Sequence, residues 1–171
     1  MELIRDLIEF IELLQKHEVR FMIVGGVAVN VLGFPRLTED LDFWLATDRE
    51  NASKVVDTLN EFGFASLNPK VEEFMQSEGV FMFGNPPNRI DLLLGISGRE
   101  FEDCYPRRVF GPLCGLNVPF ISVPDLVANK RASARPKDLA DVREFEKSKK
   151  FAGLLGSAVV VVKKQSIKKT T

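Results

Sequence analysis

The chain has 171 residues, enough for one domain with a real hydrophobic core. An apolar content of 45% excludes wholesale disorder, and 23 basic residues against 24 acidic ones leave no global field directed at nucleic acid. The start, MELIRDLIEF, carries Glu2, Asp6 and Glu9, which excludes a secretion signal, and the apolar stretch 151–162 falls short of a membrane span, so no membrane role and a cytoplasmic location are expected.

Leu3, Ile4, Leu7, Ile8, Ile11 and Leu14 recur at helical spacing and predict a first amphipathic helix. His17 falls at its end, where a cation suits the helix dipole. FMIVGG reads as a short buried strand closed by a glycine turn, and VAVNVLG as a helix stopped at Gly33 and Pro35. DLDFWLA, residues 40–46, reads as a second strand. Asp48 is placed to cap a helix running to about Phe62 and ending at Gly63. FASLN is a weak strand candidate, and VFMFG and RIDLLLG read as strands on either side of the turn NPPN. Residues 107–122 predict one or two edge strands. One helix then opens near Pro124 and Asp125, and another at Pro136 that runs to about Lys149. The pattern argues for an α+β or α/β domain with a mixed sheet over residues 1–150, followed by a tail, 151–171, read as a late edge strand or a frayed end.

The chemistry concentrates in VGGVAVNVLGFPRLTEDLDFWL. A strand, the Gly25-Gly26 turn and a helix start together suit phosphate, because a helix start presents free N–H groups and glycine admits a close ligand. Asp40 and Asp42 are two apart on a strand and so share a face. Such a pair repels, and a cation would offset the cost. Asp91 is a lone carboxylate inside the apolar RIDLLLG strand and would bring a third oxygen donor if that strand lies beside the first. Oxygen-only ligands suit magnesium. Phe43 and Trp44 read as core, and Cys104 and Cys114, without metal-ligand spacing, as reduced structural thiols. Lys147, Lys149, Lys150, Lys163, Lys164, Lys168 and Lys169 read as solvated charges, with RNA phosphate as the alternative partner.

These residues, in this order, resemble the nucleotidyltransferase superfamily that includes DNA polymerase beta. There a Gly-Gly or Gly-Ser turn precedes a strand bearing Asp-x-Asp, and a third Asp follows. The segment GFPRLTEDLDFWL is most similar to the minimal branch that includes the AbiEii-type toxins, where an Arg and a Thr precede the first Asp as Arg36 and Thr38 do here. SVPDLVANKRASARPKDLADVREF is similar to the segment with which that branch completes its nucleotide site, and the likeness covers roughly residues 20–146.

The resemblance implies an α+β fold with a mixed sheet flanked by helices and a short C-terminal helical part. It implies transfer of a nucleoside monophosphate from a nucleoside triphosphate, ATP among them, to an acceptor hydroxyl on RNA, protein or a small molecule, within a toxin–antitoxin system. Asp40, Asp42 and Asp91 would be catalytic and would hold Mg2+ or Mn2+. Gly25, Gly26, Arg36, Thr38, Lys130 and Lys137 would bind the nucleotide. Lys130 is expected as a cleft or exposed lysine that supports little core, and Asp138 and Asp141 as a charge-pairing brace for Lys130 or Arg135. An antitoxin or a second copy would be the protein partner. Many relatives carry Ser where Gly26 stands. The alternative is a catalytically silent module of the same fold serving in an RNA or toxin–antitoxin complex.

Overall fold

The computed structural model describes residues 2–86, 89–148 and 150–151. Among these residues the α-helices and strands, apart from four short helical turns, are α1 (Glu2–Lys16), β1 (Phe21–Val24), α2 (Gly25–Leu32), β2 (Asp40–Leu45), α3 (Arg49–Leu59), β3 (Val80–Phe83), β4 (Arg89–Leu93), α4 (Phe101–Cys104), β5 (Val109–Leu113), β6 (Leu116–Phe120), α5 (Val123–Ser133) and α6 (Pro136–Lys147). The sheet runs in the order β3-β4-β2-β1-β6-β5. Its β2–β4 and β1–β6 pairs are parallel and the other three antiparallel, so the fold is α+β with a mixed sheet.

Strand alternation sorts β2 into two faces. Leu41, Phe43 and Leu45 point into a core shared with Phe10, Ile11 and Leu14 of α1. Phe10 there meets Phe43, Phe62 and Phe83 edge-on, with ring centroids 5.1–5.5 Å apart. Asp40, Asp42 and Trp44 point the other way. Trp44 is buried edge-on against Phe101, and the two carboxylates open into a cleft. Asp48 caps α3 as the sequence suggests, accepting from the Asn51 N–H at 3.0 Å; Ser122 caps α5 by accepting from the Asp125 N–H at 3.3 Å, and proline falls in the first turn of α5 and of α6.

Several expectations give way to the structure. Helix α2 begins at Gly25 itself, not after the glycine pair. FASLN is not a strand. The chain leaves α3 through a wide turn, Asn60–Phe64, where Gly63 takes φ +114°, and continues as a short tight helix, Ala65–Leu67. Phe62 and Phe64 anchor this turn against Phe83, and no sheet strand stands beside it to pair with it. Residues 107–122 do give two strands, but only β5 is an edge; β6 sits between β5 and β1. The short turn Val71–Met75, which stacks Phe74 on Phe81, and helix α4 carry too weak a periodicity to be predicted. Cys104 is buried, Cys114 is exposed, and both are free thiols. Among the described residues, no helix is long and apolar enough to cross a membrane. The reading of the tail falls outside the described residues beyond Phe151, as do Lys149, Lys163, Lys164, Lys168 and Lys169.

Candidate active site

The site is built on the parallel β2–β4 pair. Their register sets Asp40 opposite Arg89 and Asp42 opposite Asp91. Residues in register on adjacent strands share a face, so Asp40, Asp42 and Asp91 line one wall of a cleft of about 1030 Å³. Asp91 is buried, and the other two are half-buried.

Asp42 lies directly against the start of α2. A Cβ added at Gly25 would stand 2.0 Å from Asp42 Oδ2, and Gly25 has φ +66°, a conformation that L side chains rarely adopt. Gly25 is therefore required twice over, by the turn and by the carboxylate. Gly25→Ala should cost more than 1 kcal/mol of stability and displace Asp42. A chemical denaturation series with an activity assay checks this; a variant of unchanged stability and activity would sink the argument.

At Gly26 a Cβ would meet Thr38 Oγ1 at 2.4 Å and Arg36 Nη2 at 3.1 Å. Thr38 and Arg36 thus fill the space that a serine side chain would use in relatives. The loop bearing them is tied down by the Arg36 N–H, which donates to Asn30 Oδ1 at 2.8 Å. The first-turn N–H groups of α2, at the cleft wall, have no intrahelical acceptor, which leaves them suited to an anion.

The opposite wall comes from α5 and α6. Arg36, Lys130, Arg135 and Lys137 all line the cleft, and Arg135 and Lys137 are exposed there. Lys130 differs from its expectation. It is 2% exposed, and its Nζ lies 2.8 Å from both Asp138 Oδ1 and Asp141 Oδ2. Asp138 also accepts from Ser133 Oγ and Arg135 Nε, each at 2.5 Å, and Asp141 pairs with Arg36 Nε at 3.0 Å. The result is a charge relay, Arg36–Asp141–Lys130–Asp138–Arg135, buried at its three central members and joining the loop before β2 to both helices. Although burial opposes ionisation, the bonds from Lys130, Ser133 and Arg135 hold the Asp138 carboxyl down to about 2. The bracing expected of Asp138 and Asp141 is what the structure shows; the exposed lysine is not.

Sequence reasoning missed Arg89. Its Nε and Nη2 donate to both oxygens of Asp91 at 2.8 and 2.9 Å, and Nη2 reaches Asp40 at 3.1 Å. The signal was present, since Arg89 and Asp91 repeat the two-residue spacing of Asp40 and Asp42, but it has meaning only once the strands are paired. Among the described residues, no basic group is bonded to Asp42. Burial first, and then the neighbouring Asp91 and Asp40 charges, push its carboxyl up to about 6 against the pull of Lys137 and Arg135.

Among the described residues, no three acids, histidines or cysteines already form a metal cage. The donors nevertheless fit a magnesium-like ion. They are hard oxygens on one face, and such an ion takes few protein ligands and completes its shell with water and phosphate.

An Asp-x-Asp strand in register with a third Asp, facing a glycine helix start and a cationic wall, defines a nucleotidyltransferase. The model of the family described as nucleotidyl transferase AbiEii toxin, type IV toxin–antitoxin system, matches residues 12–160, and the chain belongs to that family. No curated protein matches the chain.

Proposed function

We infer that this enzyme moves a nucleoside monophosphate from a nucleoside triphosphate to an acceptor hydroxyl on RNA or protein, with Asp40, Asp42 and Asp91 holding magnesium or manganese. The observation that carries the reading is the four-residue register, in which Asp42 and Asp91 stand side by side on the face that Gly25 leaves open. When bound, such an ion, held by Asp40, Asp42 and Asp91, would supply positive charge to offset the charge that grows as pyrophosphate leaves.

The protein's own groups do the rest. The amides at Gly25 and Gly26 cradle a phosphate, with the Thr38 hydroxyl beside them. Arg36, Arg135 and Lys137 neutralise the triphosphate. Lys130 lines the cleft, but its charge is taken by Asp138 and Asp141; we assign it to positioning Arg36 and Arg135. The acceptor oxygen bonds to the α-phosphorus, the bond from that phosphorus to the bridging oxygen breaks, and pyrophosphate departs. The hydroxyl proton passes to Asp91. Such a site works by orientation and charge stabilisation. The family's toxin–antitoxin context suggests an antitoxin as the protein partner, acting in the cytoplasm.

The test is to incubate the pure protein with each α-labelled triphosphate, with magnesium or manganese, and with total cellular RNA or protein. One nucleotide should label one class of acceptor, and Asp40→Asn should abolish the label. A folded protein that labels neither under any combination would favour the silent module.

A further inference from the structure

Arg89 and the three acids occupy the corners of a square drawn by the strand register. Asp40 and Asp42 stand on β2, with Arg89 and Asp91 opposite them on β4. Arg89 is therefore next to Asp40 across the sheet and next to Asp91 along the strand, and Asp42 is at the far diagonal. The bonds follow this layout. The guanidinium forks onto both oxygens of Asp91 and reaches Asp40, and it leaves Asp42 alone. Each strand brings one neighbour of the cation, so a fork of five fixed donors is met from two directions.

We propose that Arg89 is an internal counter-cation that closes the metal site in the substrate-free enzyme and gives up Asp40 and Asp91 only when a metal ion arrives with its triphosphate. The inference rests on the metal reading given above and adds a gate to it. A divalent ion alone must displace a bidentate guanidinium from two carboxylates, and charge-assisted pairs of this kind are strong. The same ion carried by a triphosphate brings phosphate oxygens that complete its shell, and the displaced guanidinium is then free to face the added negative charge. Arg89 has the exposure such a swing needs, with 29% of its side chain accessible. Arg89 is thus a positioning residue, acting through the carboxylates it holds.

The experiment is nucleotide-free binding of manganese, followed by loss of the free-ion electron paramagnetic resonance signal, with circular dichroism on every variant. The comparison is between the parent, Arg89→Met, Arg89→Lys and the double variant Asp42→Asn/Arg89→Met. Arg89→Met should bind manganese at least tenfold more tightly than the parent. Arg89→Lys, which keeps the charge but loses the fork, should fall between them and serves alone if the methionine variant does not fold. The double variant should lose the gain. Unchanged or weaker manganese binding in folded Arg89→Met or Arg89→Lys overturns the gate; if the double variant still loses the manganese that Arg89→Met binds, the metal site itself stands. If no protein binds manganese without nucleotide, the gate falls, and the metal reading is decided by the labelled-triphosphate assay with Asp40→Asn.

Discussion

Lys130→Ala is expected to destabilise the protein by about 3–5 kcal/mol, because it leaves two buried carboxylates facing each other without their cation. A domain of this size has roughly 5–15 kcal/mol in all, so the variant should be marginally folded. The partners decide the size of the effect. Asp138 and Asp141 are 1% and 4% exposed, too buried for water to replace the ammonium. Arg135 and Arg36 still touch one carboxylate each and set the lower end of the range. Thermal and urea unfolding at pH 7 measure the loss. A loss below 1 kcal/mol would mean that the relay contributes little. Acid titration gives a second reading. Asp138 has a folded pKa depressed to about 2 from its ordinary 3.8, so its stabilisation is present above pH 3.8 and is lost as pH falls through 2. That acid-labile component should shrink in Lys130→Ala and return in part in Lys130→Arg.

This relay also shows where sequence reading stops. Spacing alone placed Asp40 and Asp42 on one face, and the NPPN signal divided VFMFG from RIDLLLG as two strands, because both are local matters of strand period and turn chemistry. The Gly25-Gly26 pair was legible as the break after β1 for the same reason, although α2 starts at Gly25 and not after the pair, and the family resemblance tied these pieces to Asp91. What no local rule could supply was pairing between distant strands. The parallel β2–β4 register alone turns Arg89 from a residue beside a turn into the partner of two acids. Burial of Lys130 likewise depends on α5 and α6 meeting, which brings residues 130, 138 and 141 together. Lysine is almost never buried unpaired, so the default of an exposed charge was the natural expectation, and only the carboxylates of the facing helix overrule it. FASLN failed in the other direction. Of its apolar residues only Phe64 packs, edge-on against Phe83, while Ala65 and Leu67 are exposed, so the segment offers no buried face for a strand neighbour.

Asp42→Asn should raise stability and remove activity, and the opposite signs make it the sharpest test of the site. The Asp42 carboxyl is pushed up to about 6 from 3.8 by burial and by Asp91 and Asp40, with no bonded cation to offset them. A carboxyl whose folded pKa is raised stabilises the fold most below its unfolded pKa, and that contribution is lost as pH rises through the folded pKa. Without metal, the parent should therefore weaken between about pH 4 and pH 6 and stay weaker above. Asparagine has the same shape and no charge, so the variant should match the parent near pH 4 and exceed it by roughly 1–3 kcal/mol at pH 7.5. Activity should move the other way, falling at least a thousandfold, or about 4 kcal/mol of transition-state stabilisation, if Asp42 ligates the ion that the phosphates need. Melting curves across pH 4–8 in chelator, paired with transfer of labelled nucleotide, measure both. An Asp42→Asn protein less stable than the parent at pH 7.5 would show that the acid cluster is not strained as drawn, and one retaining a tenth of the activity would take Asp42 out of the metal site.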